Sequence, residues 1–274
     1  MPLPVHTPII DFHMHAFPDK IAERTLDKLA KISNSTPYTA GTIDSTLDYL
    51  SRHHLTAGVI MQIATKPTQQ TTINNWAKQV QTEHEALFCF GSIHPDAPDA
   101  LEELHRIREL GLKGVKLHPD YQNFFVNEER LYPIYETIAQ LGLPVTFHAG
   151  WDPLSPDFIH AMPEELAKVA EAFPSLTIIA AHMGGMRLSD DVERYLVGKP
   201  NVYLDFSMAP LYTPADQLKR IIEQHGAERI LFATDCPWSD ASQDLDILLS
   251  LGLSDEAYAQ ILHRNAERLL APTD

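Results

Sequence analysis

The sequence predicts an α/β fold, a (β/α)8 TIM barrel that takes in residues 1–274 as a single domain. Three observations predict it. Short apolar, β-branched runs alternate with longer segments of helical period along the whole chain. Eight such runs are present, and five of them pass from apolar residues into a His or Asp and then break into loop. Repeated strand-helix alternation implies parallel strands with crossover helices, and eight units favour a closed barrel over an open sheet. In a barrel of this kind the residues that end each strand gather at one mouth, where active sites form.

The first strand is expected at 9–15, Ile9-Ile10-Asp11-Phe12-His13-Met14-His15, ahead of a helix over 19–33. The Ser-, Thr- and Pro-rich stretch 33–41 has loop composition and predicts an excursion over the mouth before the next helix, 43–53. Strands at 56–63, 87–94 and 114–118 lead into helices at 72–85, 98–110 and 129–141. Strands at 144–148, 177–182 and 202–206 lead into helices at 163–172, 189–196 and 214–225. Gly111, Gly142 and Gly226 sit where a helix must stop before the next strand, and Thr213-Pro214 reads as an N-cap with proline at the first helical position. The last strand, 230–235, is followed by a helix over 254–270, with Ala257, Ile261, Leu262, Ala266, Leu269 and Leu270 at three-to-four spacing against the outside of the barrel.

Bulk properties narrow the function. Hydrophobic residues at 44% and charged residues at 21% are those of an ordinary globular chain, and no apolar run is long enough to span a bilayer. A formal net charge of −16 without a basic run argues against nucleic acid and anionic membrane as partners. Residues 1–6 lack the basic and apolar parts of a secretion signal, and Cys89 and Cys236 form no disulfide or zinc-finger pattern, so a cytoplasmic protein with free thiols is expected.

His13 and His15 are two apart on a strand, so both fall on one face, a strand's rise apart and able to grip one ion. A lone His-x-His is more often structural than metallic. Here the other apolar runs end at His118, His148, His182 and Asp235, and a barrel brings such ends together. Lys116, two before His118, should point inward and lie deeper.

With these pieces in view, the chain resembles the amidohydrolase superfamily, in the branch of aminocarboxymuconate-semialdehyde decarboxylase and small metal-dependent hydrolases. The likeness is carried by Asp11-Phe12-His13-Met14-His15, Gly114-Val115-Lys116-Leu117-His118-Pro119, Thr146-Phe147-His148-Ala149-Gly150, Ala181-His182-Met183-Gly184-Gly185, Ala233-Thr234-Asp235-Cys236-Pro237 and the closing Asn265-Ala266-Glu267-Arg268-Leu269-Leu270. The resemblance implies that His13, His15, His148 and Asp235 bind a divalent metal. Zinc suits this donor set first, with manganese, iron or cobalt as alternatives. The resemblance also implies that His182 is an acid/base, or a ligand to a second ion in two-metal members. Asp235 would serve both as ligand and as proton acceptor.

Lys116 has three possible fates: carboxylation to bridge two ions, a cation that holds a substrate carboxylate, or an ion pair with an acid such as Asp11. His118 belongs to the same possible second-metal or substrate position. Arg187, five beyond His182, is a candidate for an anionic substrate group. Trp151, Asp152, Trp238, Tyr121 and Asn123 are candidate pocket residues, and strand alternation turns Cys236 away from the metal.

Two functions follow from the resemblance. The first is hydrolysis of a small, carboxylate-bearing substrate by metal-activated water; the second is non-oxidative decarboxylation or hydration of a small unsaturated acid. A deaminase of the adenosine type is disfavoured because Ala149-Gly150-Trp151-Asp152 has no Glu after His148, and a nuclease because Lys116 stands where such members carry Glu. A non-catalytic metal-binding module is the remaining alternative. The partner is expected to be a small molecule, with a homodimer suggested by the relatives alone.

Overall fold

The computed structural model describes residues 7–271, so the segment 1–6 read for a secretion signal lies outside the described residues. All eight expected strands form: β1 (Ile10–Met14), β2 (Ala57–Met61), β3 (Leu87–Phe90), β4 (Val115–Leu117), β5 (Val145–Phe147), β6 (Ile178–Ala180), β7 (Val202–Asp205) and β8 (Ile230–Leu231). Every pairing is parallel, in the order β1-β2-β3 and β4-β5-β6-β7-β8.

Backbone hydrogen bonds close the two sheets into a barrel. Between β3 and β4, Gly91 N–H donates to Gly114 O at 2.9 Å and Lys116 N–H to Gly91 O at 2.8 Å. Between β1 and β8, Phe12 N–H donates to Phe232 O and Asp235 N–H to His13 O, both at 2.9 Å. Closure leaves no open sheet edge, so every strand has a neighbour on both sides.

The ladders are shorter than the sequence predicts. β4 and β5 stop one residue before His118 and His148, β6 two before His182, and β8 four before Asp235. These residues leave the sheet because they must bend over the barrel axis. His182 and Asp235 adopt left-handed backbone, φ 58° and 66°, a conformation uncommon outside Gly that concentrates at functional sites.

Strand β1 carries the key irregularity. Ile10 and Asp11 pair with Ala57 and Gly58, but Met14 pairs with Ile60, so β1 advances three residues while β2 advances two. This β-bulge resets the alternation of faces. Phe12 packs inside the barrel with Val59, Met61, Phe90, Ile179, Leu231 and Ala233, its ring edge-on to Phe90 at 5.7 Å, while Met14 packs outside. His13 can then follow Phe12 directly on the inner side. Asp11 sits between β1 and β8, where its carboxylate accepts from His13 N–H (3.2 Å), Thr234 N–H (3.0 Å) and Thr234 Oγ1–H (2.6 Å). Burial pushes its pKa up to about 7 against those bonds.

The interior apolar cluster includes Ala266 and Leu270 beside Ile10 and Ala57, so the last helical segment plugs the end opposite the mouth. That segment is Asp255–Ala259, a π-turn Gln260–Arg264 and Asn265–Leu270. Helices Asp19–Ser33 and Pro163–Ala172 have the expected bounds. Helix Ala215–His225 begins after Pro214 rather than with it, and Thr213 does not cap it. Short helices at Pro119–Gln122 and Ala209–Tyr212 were not anticipated, nor was the longer Ala241–Ser250, which is capped by Asp240 onto Ser242 N–H and Gln243 N–H and fills the last crossover position. The loop 34–42 does reach the mouth, where Tyr38 N–H donates to Pro237 O at 2.8 Å.

At the outer layer, fully buried His225 donates from Nε2 to Val202 O at 2.9 Å and accepts Gly198 N–H on Nδ1 at 3.1 Å. Burial lowers its pKa from 6.5 to about 4. Between those values the unfolded chain holds the extra proton, so stability falls as pH drops through this window, by about 3 kcal/mol for this one group. His225→Gln should therefore show a shallower loss of urea stability from pH 7 to pH 4 than the parent; parallel slopes would exclude His225 as a source.

Candidate metal centre

Three side chains from the two ends of the chain meet at the mouth. His13 Nε2 lies 3.2 Å from His15 Nε2, His15 Nε2 lies 3.1 Å from Asp235 Oδ1, and His13 Nε2 lies 3.4 Å from that same oxygen. His13 and Asp235 are buried and His15 nearly so.

Hydrogen bonds fix which nitrogens carry protons. His13 Nδ1 faces Asp205 Oδ2 at 2.8 Å and His15 Nδ1 faces the Met61 carbonyl at 3.0 Å. Both partners accept only, so each imidazole keeps its proton on Nδ1 and presents Nε2 as an acceptor. Burial, reinforced by Lys116, holds His13 well below the ordinary histidine range and hence neutral. Two lone pairs and a carboxylate oxygen thus face one another across 3.1–3.4 Å. Acceptors so placed repel unless a cation lies between them. Tetrahedral coordination with bonds near 2.0 Å separates ligand atoms by roughly 3.3 Å, so the donor set fits a divalent ion of the zinc class.

Lys116 is 1% exposed, and its Nζ lies 3.1 Å from His13 Nε2. Burial lowers its pKa to about 8, against the pull of Asp205, Asp235 and Asp152. No carboxylate lies within ion-pair distance of it among the described residues, and Asp11 is occupied by Thr234. Pairing with Asp11, one of the three fates expected for Lys116, is therefore not what the fold provides.

The structure brings His148 beside His182 and His118 rather than into the tight triangle. His182 Nε2 lies 2.9 Å from His148 Nδ1, and the His118 and His148 rings stack at 4.3 Å, with Tyr121 stacked on the far side of His118 at 3.9 Å. The Nε2 atoms of His118 and His148 each lie 3.6 Å from Asp152 Oδ2, so these three form a second acceptor-rich group. Burial pushes Asp152 up and holds His118 and His182 well below the usual histidine range.

Farther out, the loops after β5 and β6 are joined by backbone bonds. Met186 N–H donates to Ala149 O at 2.9 Å and Trp151 N–H to Met186 O at 3.0 Å. Gly150, at φ +86°, makes this possible, since a Cβ there would stand 2.2 Å from Met186 N. The joined loops set the exposed Arg187 guanidinium 3.5 Å above the Trp151 ring and 5.1 Å from that of Tyr212. No carboxylate pairs with Arg187 among the described residues. Asn123 is an exposed turn residue in left-handed backbone, and Cys236 packs outward in the apolar layer.

Sequence reasoning missed Asp205 and Ser207. The signal was present: Val202-Tyr203-Leu204-Asp205 is also an apolar run that reaches an acid at a strand end.

A family model for amidohydrolases (Amidohydro_2) matches residues 10–271. The chain belongs to that family. Amidohydrolases of this family form TIM barrels and usually use a divalent metal, in keeping with the barrel and the His/Asp triangle. Solved structures agree on the fold. An uncharacterized TIM-barrel protein of Bordetella bronchiseptica superposes with a TM-score of 0.78 at 22% identity, over 96% of this chain and 98% of the other. The 5-carboxyvanillate decarboxylase of Sphingomonas paucimobilis gives 0.72 at 15% identity, over 96% and 99%. A putative 2-pyrone-4,6-dicarboxylic acid hydrolase of Pseudomonas putida gives 0.67 at 19% identity, over 97% and 98%.

The triangle makes a direct prediction. After dialysis and reloading, His15→Ala should lose the divalent ion by elemental analysis, whereas His182→Ala should keep the parental content; loss of the ion in the second variant would make His182 a ligand.

Proposed function

We propose that this amidohydrolase is a metal-dependent hydrolase of small, carboxylate-bearing molecules, with zinc the first candidate ion. The observation that carries the reading is the buried triangle of His13 Nε2, His15 Nε2 and Asp235 Oδ1. When bound there, a divalent ion supplies water acidified to near-neutral pKa and polarises a carbonyl. His148 is the fourth ligand implied by the family resemblance; its Nδ1 meets His182, so its Nε2, now 3.3 Å from the Trp151 carbonyl, is the atom that would turn to the ion.

Asp235 accepts a proton at its carboxylate. His182, neutral and carrying its proton at Nδ1, meets His148 Nδ1 at its Nε2; exchanging that partner for a substrate group would let Nε2 take up a proton and return it to a leaving group. Lys116 and Arg187 have no carboxylate partner among the described residues, and each suits an anionic substrate group. Trp151 and Tyr212 hold the Arg187 guanidinium flat, which reduces the freedom lost when it grips a carboxylate.

The second reading is decarboxylation of a small unsaturated acid. It draws on the decarboxylase named among the similar folds and on the Lys116 cation, which has no carboxylate partner among the described residues. A panel of small lactones, amides and unsaturated acids, each carrying a carboxylate, separates the two. Hydrolysis places oxygen from ¹⁸O-water in the product; decarboxylation releases carbon dioxide and places solvent deuterium on carbon. A chain that binds no divalent ion under any supplementation would overturn both. With a turned-over substrate in hand, Arg187→Met should raise KM roughly thirtyfold with kcat little changed, the cost of about 2 kcal/mol for one charged hydrogen bond made equally in ground and transition states.

A further inference from the structure

We infer that Asp205 and Ser207 form a positioning unit that sets the tautomers of His13 and His182, and so decides which nitrogens this site offers to an ion and to a proton. Asp205 is fully buried at the end of β7. Its Oδ2 accepts from His13 Nδ1–H at 2.8 Å. Its Oδ1 accepts from His182 N–H at 2.9 Å, from Ser207 N–H at 3.2 Å and from the Ser207 hydroxyl. Three donors meet Oδ1 and one meets Oδ2, an arrangement that favours the ionised, acceptor-only carboxylate.

The Ser207 hydroxyl proton is thereby committed to Asp205. Its oxygen can only accept from His182 Nδ1, 3.0 Å away, and the Ser207 carbonyl at 3.3 Å is likewise an acceptor. His182 must carry its proton on Nδ1. Its Nε2 then accepts, so His148 Nδ1, at 2.9 Å, must donate, while His148 Nε2 faces the Trp151 carbonyl at 3.3 Å. One buried carboxylate thus orders three imidazoles, one on β1 and two just past the ends of β5 and β6. Ser207 Oγ, 3.3 Å from His13 Nδ1, joins the two branches.

The assignment stands apart from the proposed hydrolase chemistry and is read without turnover. In metal-free protein labelled with ¹⁵N-histidine, long-range ¹⁵N–¹H spectra should show Nδ1–H tautomers at His13, His15, His148 and His182. Asp205→Asn can turn an amide N–H toward His13, moving that ring to the Nε2–H tautomer while His15, held by Met61, stays. Divalent-ion affinity, measured by chelator competition, should fall about ten- to hundredfold in that variant, the usual cost of losing an outer carboxylate behind a metal-bound histidine. Ser207→Ala should spare the His13 tautomer and disturb that of His182, and Ser207→Thr should restore it. An Nε2–H tautomer at His13 in the parent protein, or unchanged tautomers in Asp205→Asn, would overturn the inference. A parent protein with the stated tautomers that binds no ion would leave it standing and remove the hydrolase reading instead.

Discussion

Electrostatic frustration at the mouth is the constraint on which the site depends. Two imidazole lone pairs and a carboxylate oxygen are held within 3.1–3.4 Å of one another by bonds made elsewhere, to Asp205, to Met61 and through the backbone of Asp235. Neither imidazole can relax by rotating, because each is tied at its Nδ1 side. A pocket of fixed acceptors out of water has high affinity for a small, hard charge. The barrel supplies the rigidity, and the rigidity turns ordinary residues into a cation trap.

Placement of those residues follows from departures from regular structure. The bulge in β1 lets Phe12 and His13 both face inward, and the left-handed turns at His182 and Asp235 carry their side chains over the axis. Such conformations are unfavourable in isolation and persist where surrounding bonds fix them. Asp11 is one such anchor, bound at once to the bulged His13 amide and to Thr234 across the β1–β8 seam where the barrel closes.

Much of this was legible in the sequence. Alternating apolar runs gave the eight strands because buried parallel strands need them on both faces. The residues ending those runs were found for the same reason. Ladder length was not legible, since it depends on where the chain bends over the axis. Helix Ala241–Ser250 was missed because its sequence, Ala241-Ser242-Gln243-Asp244-Leu245-Asp246, opens without a clear apolar stripe. Asp205 was passed over in a strand whose chemistry looked merely structural, and its role appears only once β7 is set beside β1 and β6. Similarly, the companionship of His148 with His118 and Asp152 rests on loop geometry that spacing along the chain does not encode.

The bulge has one more consequence. Because Phe12 lies immediately beneath His13, the polar layer at β1 rests directly on Phe12, which packs with Phe90, Met61 and Ile179. Apolar packing of this kind disfavours water beneath β1, so the polar groups of the site open toward the rim formed by the βα loops. Control of that rim is control of the chemistry.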